Sequence, residues 1–283
     1  MKNKIKVVLL LSMFKLCNIS AFADHWGIPK IDGQGPWNEN LVISISNVKK
    51  KSLFNNKEIL VKQAGVSNFV LFDKRPRLYF QWLPTSKDLM KNFDHIAYID
   101  LNNGWSKPKL INLPFTGKPH KYPVDPTIVQ LKNGKFRLYF TTVDKKNRAY
   151  ISSAISSDGE KFSLENGKRF RDKSINFKDC AVIYYNNLWH IITPSHKQNG
   201  LGYYGISKDG LNFERKKDIK LNVRGDWLGN FLIDDGTIYF YGTGFTASTE
   251  DFKTWKVNEI NNIADPAVIF FENKKYIVST SMN

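Results

Sequence analysis

The stretch DPTIVQLKNGKFRLYFT, Asp125 to Thr141, reads as an apolar strand, a turn and a second strand rich in aromatics. The same phrase returns as DCAVIYYNNLWHIIT (Asp179 to Thr193) and DPAVIFFENKKYIVST (Asp265 to Thr280). Weaker copies are SNFVLFDKRPRLYFQW (Ser67 to Trp82) and GNFLIDDGTIYFYGTG (Gly229 to Gly244). A strand-built repeat of about 40–50 residues predicts a propeller. Five copies predict an all-β chain with five blades, whose inner strands all begin around one central axis. Three of those first positions are Asp.

Working outward, the expected blades run from Val66 to Leu113, Tyr122 to Phe170, Lys178 to Leu221 and Trp227 to Ile260, with a fifth starting at Ala264. The fifth copy contains only two strands. Asn40 to Ser46 and Lys57 to Lys62 have the alternation of an outer pair, so they are expected to complete the last blade and remove its free edge. The outer hairpins share a second phrase: SSDGEKF (Ser156 to Phe162), SKDGLNF (Ser207 to Phe213) and STEDFKTW (Ser248 to Trp255), with a degenerate form from Asn102 to Trp105. Ser and Asp side chains can bond the turn backbone, Gly takes the positive φ, and the aromatic packs the hairpin onto its neighbour. That motif is structural.

The chain has 283 residues, 42% hydrophobic and 14% aromatic, enough for one large β domain. Lys2, Lys4 and Lys6, the apolar run Val7 to Phe14 and Ala21-Phe22-Ala23 read as a cleaved export signal, residues 1–23, ahead of a single domain over residues 24–283. The expected location is secreted or periplasmic. Eight apolar residues are too few to span a bilayer, which needs about 20, and no later segment is longer. Cleavage would remove Cys17 and four lysines. It would leave 38 basic against 26 acidic residues, net +12, and Cys180 alone, with no intrachain disulfide. The lysines are scattered, which reads as a solvated basic surface suited to acidic surroundings. No RNA-binding aromatic signature, DNA-reading helix, phosphate loop, dinucleotide fingerprint or serine-nucleophile elbow is present, so nucleic acid is not an expected partner.

Asp125, Asp179 and Asp265 should face the mouth of one channel, since 54 residues separate the first two and 86 the last two, one blade and two blades. Crowded carboxylates perturb one another and can divide acid and base roles. Glycoside hydrolysis needs such a pair across the scissile bond. The plainer reading is that Asp-Pro is a turn device. Trp82 and Trp227 could stack on a sugar, and Asn68, His120, Tyr122 and His196 could bond hydroxyls. His and Asp around the axis could hold a calcium ion, though no ligand spacing selects one, and no other cofactor is expected.

With these residues in view, the chain resembles the five-bladed propeller glycosidases of the arabinanase, xylosidase and arabinofuranosidase type, with the invertase and levanase type close by. It also resembles uncharacterised exported propellers. The resemblance is most specific at Tyr122 to Thr141 and Lys178 to Thr193. It implies that Asp125 orients and tunes the acid, and that Asp179 stands where the acid, usually Glu, is found. The first-blade Asp that serves as base or nucleophile has no counterpart: Ser67-Asn68 is expected in its place, and Glu39, Asp226 and Asp265 remain as substitutes that spacing does not separate. The implied function is a glycoside hydrolase acting on an oligo- or polysaccharide, as a monomer. The alternatives are a non-catalytic carbohydrate-binding propeller and an envelope protein-interaction platform.

Overall fold

A computed structural model describes residues 38–47, 57–83, 95–114, 123–146, 148–261 and 263–282. The expected export signal, His120 and Tyr122 lie outside these residues. The regular elements among them are all strands, arranged as the five antiparallel sheets of a five-bladed propeller.

Blade one is β3 (Ala64–Phe72), β4 (Arg75–Trp82), β5 (His95–Asp100) and β6 (Lys109–Leu110). Blade two is β7 (Val124–Gln130), β8 (Phe136–Val143), β9 (Ala149–Ser156) and β10 (Ser163–Leu164). Blade three is β11 (Ala181–Tyr185), β12 (Leu188–Pro194), β13 (Leu201–Ser207) and β14 (Glu214–Arg215), with β15 (Ile219–Lys220) also paired to β13. Blade four is β16 (Asp226–Asp234), β17 (Thr237–Thr243), β18 (Phe245–Thr249) and β19 (Lys256–Glu259). The last blade takes β20 (Ala267–Phe271) and β21 (Lys274–Met282) from one end of the described chain, and β1 (Glu39–Asn47) and β2 (Glu58–Lys62) from the other. The expected closure is therefore present: β1 pairs β21 from Glu39↔Met282 to Asn47↔Lys274.

Apolar side chains gather where blades meet. Leu41, Phe69, Phe80 and Val278 fill the junction of the last blade with the first, and Phe140, Ile128, Tyr98 and Phe162 the next. Phe170, Phe177, Trp189 and Tyr139 join blades two and three, and Trp227, Phe231, Phe240 and Ile192 join three and four. Val268, Ile277, Tyr241 and Ile263 close the ring. Each blade's sheet is thus covered on both faces, which is why its inner strands read as nearly continuous apolar runs.

Polar clasps fix the register between blades. The phrase RLYF occurs in both β4 and β8. Arg77 grips Asp100 through Nε (2.6 Å) and Nη2 (3.0 Å), and Tyr79 Oη donates to the Gly159 carbonyl in the hairpin of blade two at 2.6 Å. In the next blade Arg137 grips Glu165 at 2.8 and 2.9 Å, and Tyr139 Oη donates to the Gly210 carbonyl at 2.7 Å. Those hairpins are the Ser-Asp-Gly turns read from the sequence. Asp158 accepts from the amides of Glu160 and Lys161, Asp209 from those of Leu211 and Asn212, and Asp251 from those of Lys253 and Thr254. Their aromatics pack outward onto the preceding blade, Phe162 on Tyr79 and Phe213 on Tyr139.

Blade three breaks the pattern in a compensated way. His190 occupies the place of Arg137, and the turn position held elsewhere by Gly159 and Gly210 is Phe252, at φ 59°. The Phe252 ring stacks flat on His190, with centroids 3.8 Å apart. Burial pulls His190 down to a pKa of about 4, so it stacks as a neutral ring.

At Gly210, φ is 69° and an added Cβ would lie 2.8 Å from both Arg137 Nη1 and Tyr139 Oη; at Gly134, φ is 80° and the space is open. Gly134→Ala should cost only the left-handed penalty of about 1–2 kcal/mol. Gly210→Ala should cost a further 1–3 kcal/mol or so by displacing the clasp. Urea denaturation of the two variants measures the difference, and equal losses would show that the clasp is not tight.

Candidate active site

Four of the five inner strands enter the channel mouth through a left-handed residue. Asp125, Asp179 and Asp265 have φ of 55°, 53° and 47°. Among residues with a side chain, Asp and Asn adopt this left-handed region most readily, because a short polar side chain can bond locally. Backbone geometry thus accounts for an acidic or glycine residue here, and the carboxylates arrive at the mouth as a consequence.

Blade one has the same conformation with a different residue. Asn68↔Tyr79 and Thr127↔Tyr139 are equivalent pairs, and each lies two residues beyond a left-handed position. That position is Asp125 in blade two and Val66, at φ 43°, in blade one. The sequence reading set Ser67-Asn68 in this place. It missed the β-bulge between Gly65 and Ser67, which shifts the register by one residue. A β-branched residue in this region is strained.

Threonines of the preceding blade anchor the aspartates. The Asp179 amide donates to Thr141 Oγ1 at 3.1 Å, and the Asp265 amide to Thr243 Oγ1 at 2.9 Å. The Thr141 hydroxyl in turn serves the Asp125 carboxylate, so one residue links Asp125 to Asp179. The two carboxyl groups lie close enough for each to perturb the other. Burial, then the charge of Asp179, pushes Asp125 well above the usual carboxylate range. Burial also raises Asp265, helped by the negative charges of Asp179 and Glu39.

Three more groups lie near this cluster. His196 Nε2 lies 3.4 Å from Asp179 Oδ2, on a half-exposed loop after β12. Asp226, at the start of β16, is raised by burial, with His196 and Lys220 acting against that rise. Glu39, the first residue of β1, is buried, and its carboxylate lies over Gly65, where a Cβ would collide with it. A glycine beside Val66 is what lets Glu39 approach the start of blade one.

Other expected site residues are occupied elsewhere. Trp227 is fully buried, its Nε1 donating to the Gly200 carbonyl at 3.0 Å and its ring packed by Phe240, Phe245 and Trp255. It is a core residue with no face to offer a sugar. Asn68 is buried, and its Oδ1 accepts from the Ile128 amide at 3.0 Å, tying blade one to blade two; Asn230 does the same for Val268 at 3.1 Å. Trp82 is half-buried against the core between the last and first blades. Among the described residues no group of three or more His, Cys, Asp or Glu side chains is disposed to hold a metal ion. Cys180 is buried, and its thiol is pushed far up by that burial.

No sequence-family model matches the chain, and no curated protein matches it in sequence. Solved structures do match. A β-xylosidase/α-arabinofuranosidase of glycoside hydrolase family 43 from a compost microbial metagenome has a TM-score of 0.55 at 14% identity, covering 77% of this chain and 90% of that one. An exo-β-1,3-galactanase from Clostridium thermocellum has a TM-score of 0.58 at 13% identity, over 83% of this chain and 57% of that one. The family 32 β-fructofuranosidase of Bombyx mori has a TM-score of 0.55 at 14% identity, over 77% and 55%. At these identities the likeness establishes the fold: the chain is a five-bladed propeller of the kind these glycosidases share.

Two stability measurements follow from the mouth. Replacing Val66 with Asn should relieve the left-handed strain and add about 1 kcal/mol; a loss instead would mean that Val66 packing outweighs it. Asp125 holds a proton in the folded state that the unfolded chain releases. Its contribution is therefore present at low pH and lost as pH rises from about 4 through the raised value. Asp125→Asn lacks this loss. Relative to wild type it should melt about 2–4 °C higher near pH 7.5 than it does near pH 4.5, on the usual scaling of about 1 kcal/mol.

Proposed function

We propose that this chain is an exported glycoside hydrolase that works at the channel mouth. The mutually perturbed pair of Asp125 and Asp179, linked through Thr141 inside a propeller of glycosidase type, carries this reading. Asp179 is the general acid that protonates the leaving oxygen. Asp125 orients Asp179, which carries the proton to be transferred, and Thr141 fixes both. His196 stands beside Asp179 to bond substrate hydroxyls. The second carboxylate is Glu39, whose position over Gly65 brings a carboxylate beside the vacated Val66 site. The substrate is an oligo- or polysaccharide, the protein acts as a monomer, and no metal enters the reaction scheme.

Val66 favours one alternative. Where the resembled glycosidases carry a base, this chain has an aliphatic side chain, which suits a propeller that binds saccharide without cleaving it.

Mass spectrometry of arabino-, xylo-, fructo- and acidic oligosaccharides incubated with the protein separates the two. Cleavage by wild type should fall about 10²–10⁴-fold in Asp179→Asn, the usual worth of a general acid. It should fall similarly in Glu39→Gln and less in Asp125→Asn. Bound but uncleaved saccharide, with Val66→Asp conferring cleavage, would establish the binding reading instead. The rate should also decline on the alkaline side, because the Asp125–Asp179 pair must keep one proton. An alkaline limb that is unchanged in Asp125→Asn would remove that residue from the scheme.

A further inference from the structure

Four of the five blades join their first two strands by two-residue turns with both central φ positive: Asp73-Lys74, Asn186-Asn187, Asp235-Gly236 and Glu272-Asn273. Blade two differs. Gln130 pairs Phe136, and the five residues 131–135 form a longer loop. This end of the strands is opposite the mouth, since β7 starts beside Asp125 and runs seven residues, about 20 Å, to the loop.

The residue before the turn also differs. In three other blades it is aromatic and packs into its junction. Phe72 stacks on Phe136 (5.4 Å), Tyr185 packs on Phe252 and donates to the Gly236 carbonyl (3.2 Å), and Phe271 packs on Tyr276 (6.5 Å). In blade two the matching position in the repeat is Leu131, the first residue of the longer loop. Between blades two and three a groove of about 350 Å³ is left open, within the size range of small-ligand clefts, about 300–1,000 Å³.

Its lining has a consistent chemistry. Tyr184 and Trp189 form an aromatic wall, with centroids 5.0 Å apart. Lys132 Nζ lies 4.8 Å above the Tyr184 ring, and Lys208 and Asn133 complete the rim. Among the described residues neither lysine enters an ion pair. Arg137 and Asp209, in the floor, are already committed to Glu165 and to the hairpin amides.

We propose that this groove is a second saccharide site, specific for an acidic oligosaccharide. A sugar face lies against the Tyr184–Trp189 wall, and its carboxylate or sulfate is held between the Lys132 and Lys208 ammonium groups. Asn133 bonds hydroxyls. The site is independent of the channel mouth and stands whether or not the mouth turns over substrate.

The test is calorimetric titration of the full chain with an oligogalacturonate, a sulfated oligosaccharide and the methyl-esterified, uncharged oligogalacturonate. The expected result is binding of one or both acidic probes, weakened more than about tenfold in Lys132→Gln/Lys208→Gln and in Tyr184→Ala, the loss of roughly one charge-assisted contact or more. Which acidic probe binds identifies the anionic group. Wild-type melting temperature in both variants should show that they fold. A control pair of exposed lysines on blade four, Lys253→Gln/Lys256→Gln, should bind as wild type. The proposal is overturned by any of four results: no binding of an acidic probe, equal binding of the uncharged ester, equal weakening in the control pair, or weakening by Asp179→Asn with none from the groove variants, which would locate binding at the mouth.

Discussion

The pairing of β1 with β21 is the constraint on which the rest depends. A ring of five sheets has no free inner edge only if its last blade is completed, and an open blade would present unpaired backbone groups to any other chain. The nine-residue ladder does this, and it also builds the junction core around Leu41, Phe69 and Val278. The same pairing has a chemical consequence. Glu39 is the first residue of β1, so the register that closes the ring also delivers a carboxylate to the mouth, over Gly65. A one-residue slip would turn Glu39 to the opposite face and bury Asn40 in its place.

The second constraint lies at the mouth. Four of the five inner strands begin there with a left-handed residue, and that conformation asks for a side chain that tolerates positive φ. Asp satisfies the backbone and supplies a carboxylate, so fold and chemistry draw on the same residue type. Val66 separates the two demands, because it keeps the conformation and supplies no charge. The crowding that results in the other blades is costly. Burial and mutual repulsion raise both Asp125 and Asp265, and a buried carboxyl group displaced upward opposes folding at neutral pH. A fold that needed only a turn could use Asn at each position without that cost. The presence of three acids in this geometry is the physical basis of the chemistry proposed for the mouth, with the turn as a prerequisite.

Much of this architecture was legible in the residues. Period-two alternation, Gly and Asn turns and the Ser-Asp-Gly hairpins name strands directly, because each reports a local backbone state. The closing pair, Asn40 to Ser46 with Lys57 to Lys62, was legible because an incomplete fifth copy demanded a partner. What failed was anything that depended on register. Trp227 reads as a free aromatic at a strand start, but two residues between Asp226 and Gly229 bulge out of the ladder and turn it into the core. Asn68 reads as a polar residue near the mouth, yet its amide spans two blades. The repeated RLYF in β4 and β8 was a signal for the inter-blade clasp. Its replacement around His190 and Phe252 was not visible, since stacking across blades has no sequence spacing.

The two ends of the channel differ in a way that bears on what the protein can hold. The mouth gathers Asp125, Asp179, Asp265 and Glu39, while the far groove is rimmed by Lys132 and Lys208. A polyanion would be repelled by the first and attracted by the second. Screening decides whether those fields interfere. The Debye length is about 8 Å at physiological salt, whereas the length of β7, about 20 Å, separates the two sets. Lys132 and Lys208 are exposed, so their field is largely screened by solvent over that distance. The overall surplus of 42 basic over 26 acidic residues then dominates at long range and draws an anionic saccharide toward the molecule from any side. Only at close range do the two sets differ, so on the functions proposed here the groove would take an acidic polymer and the mouth a neutral or less charged segment.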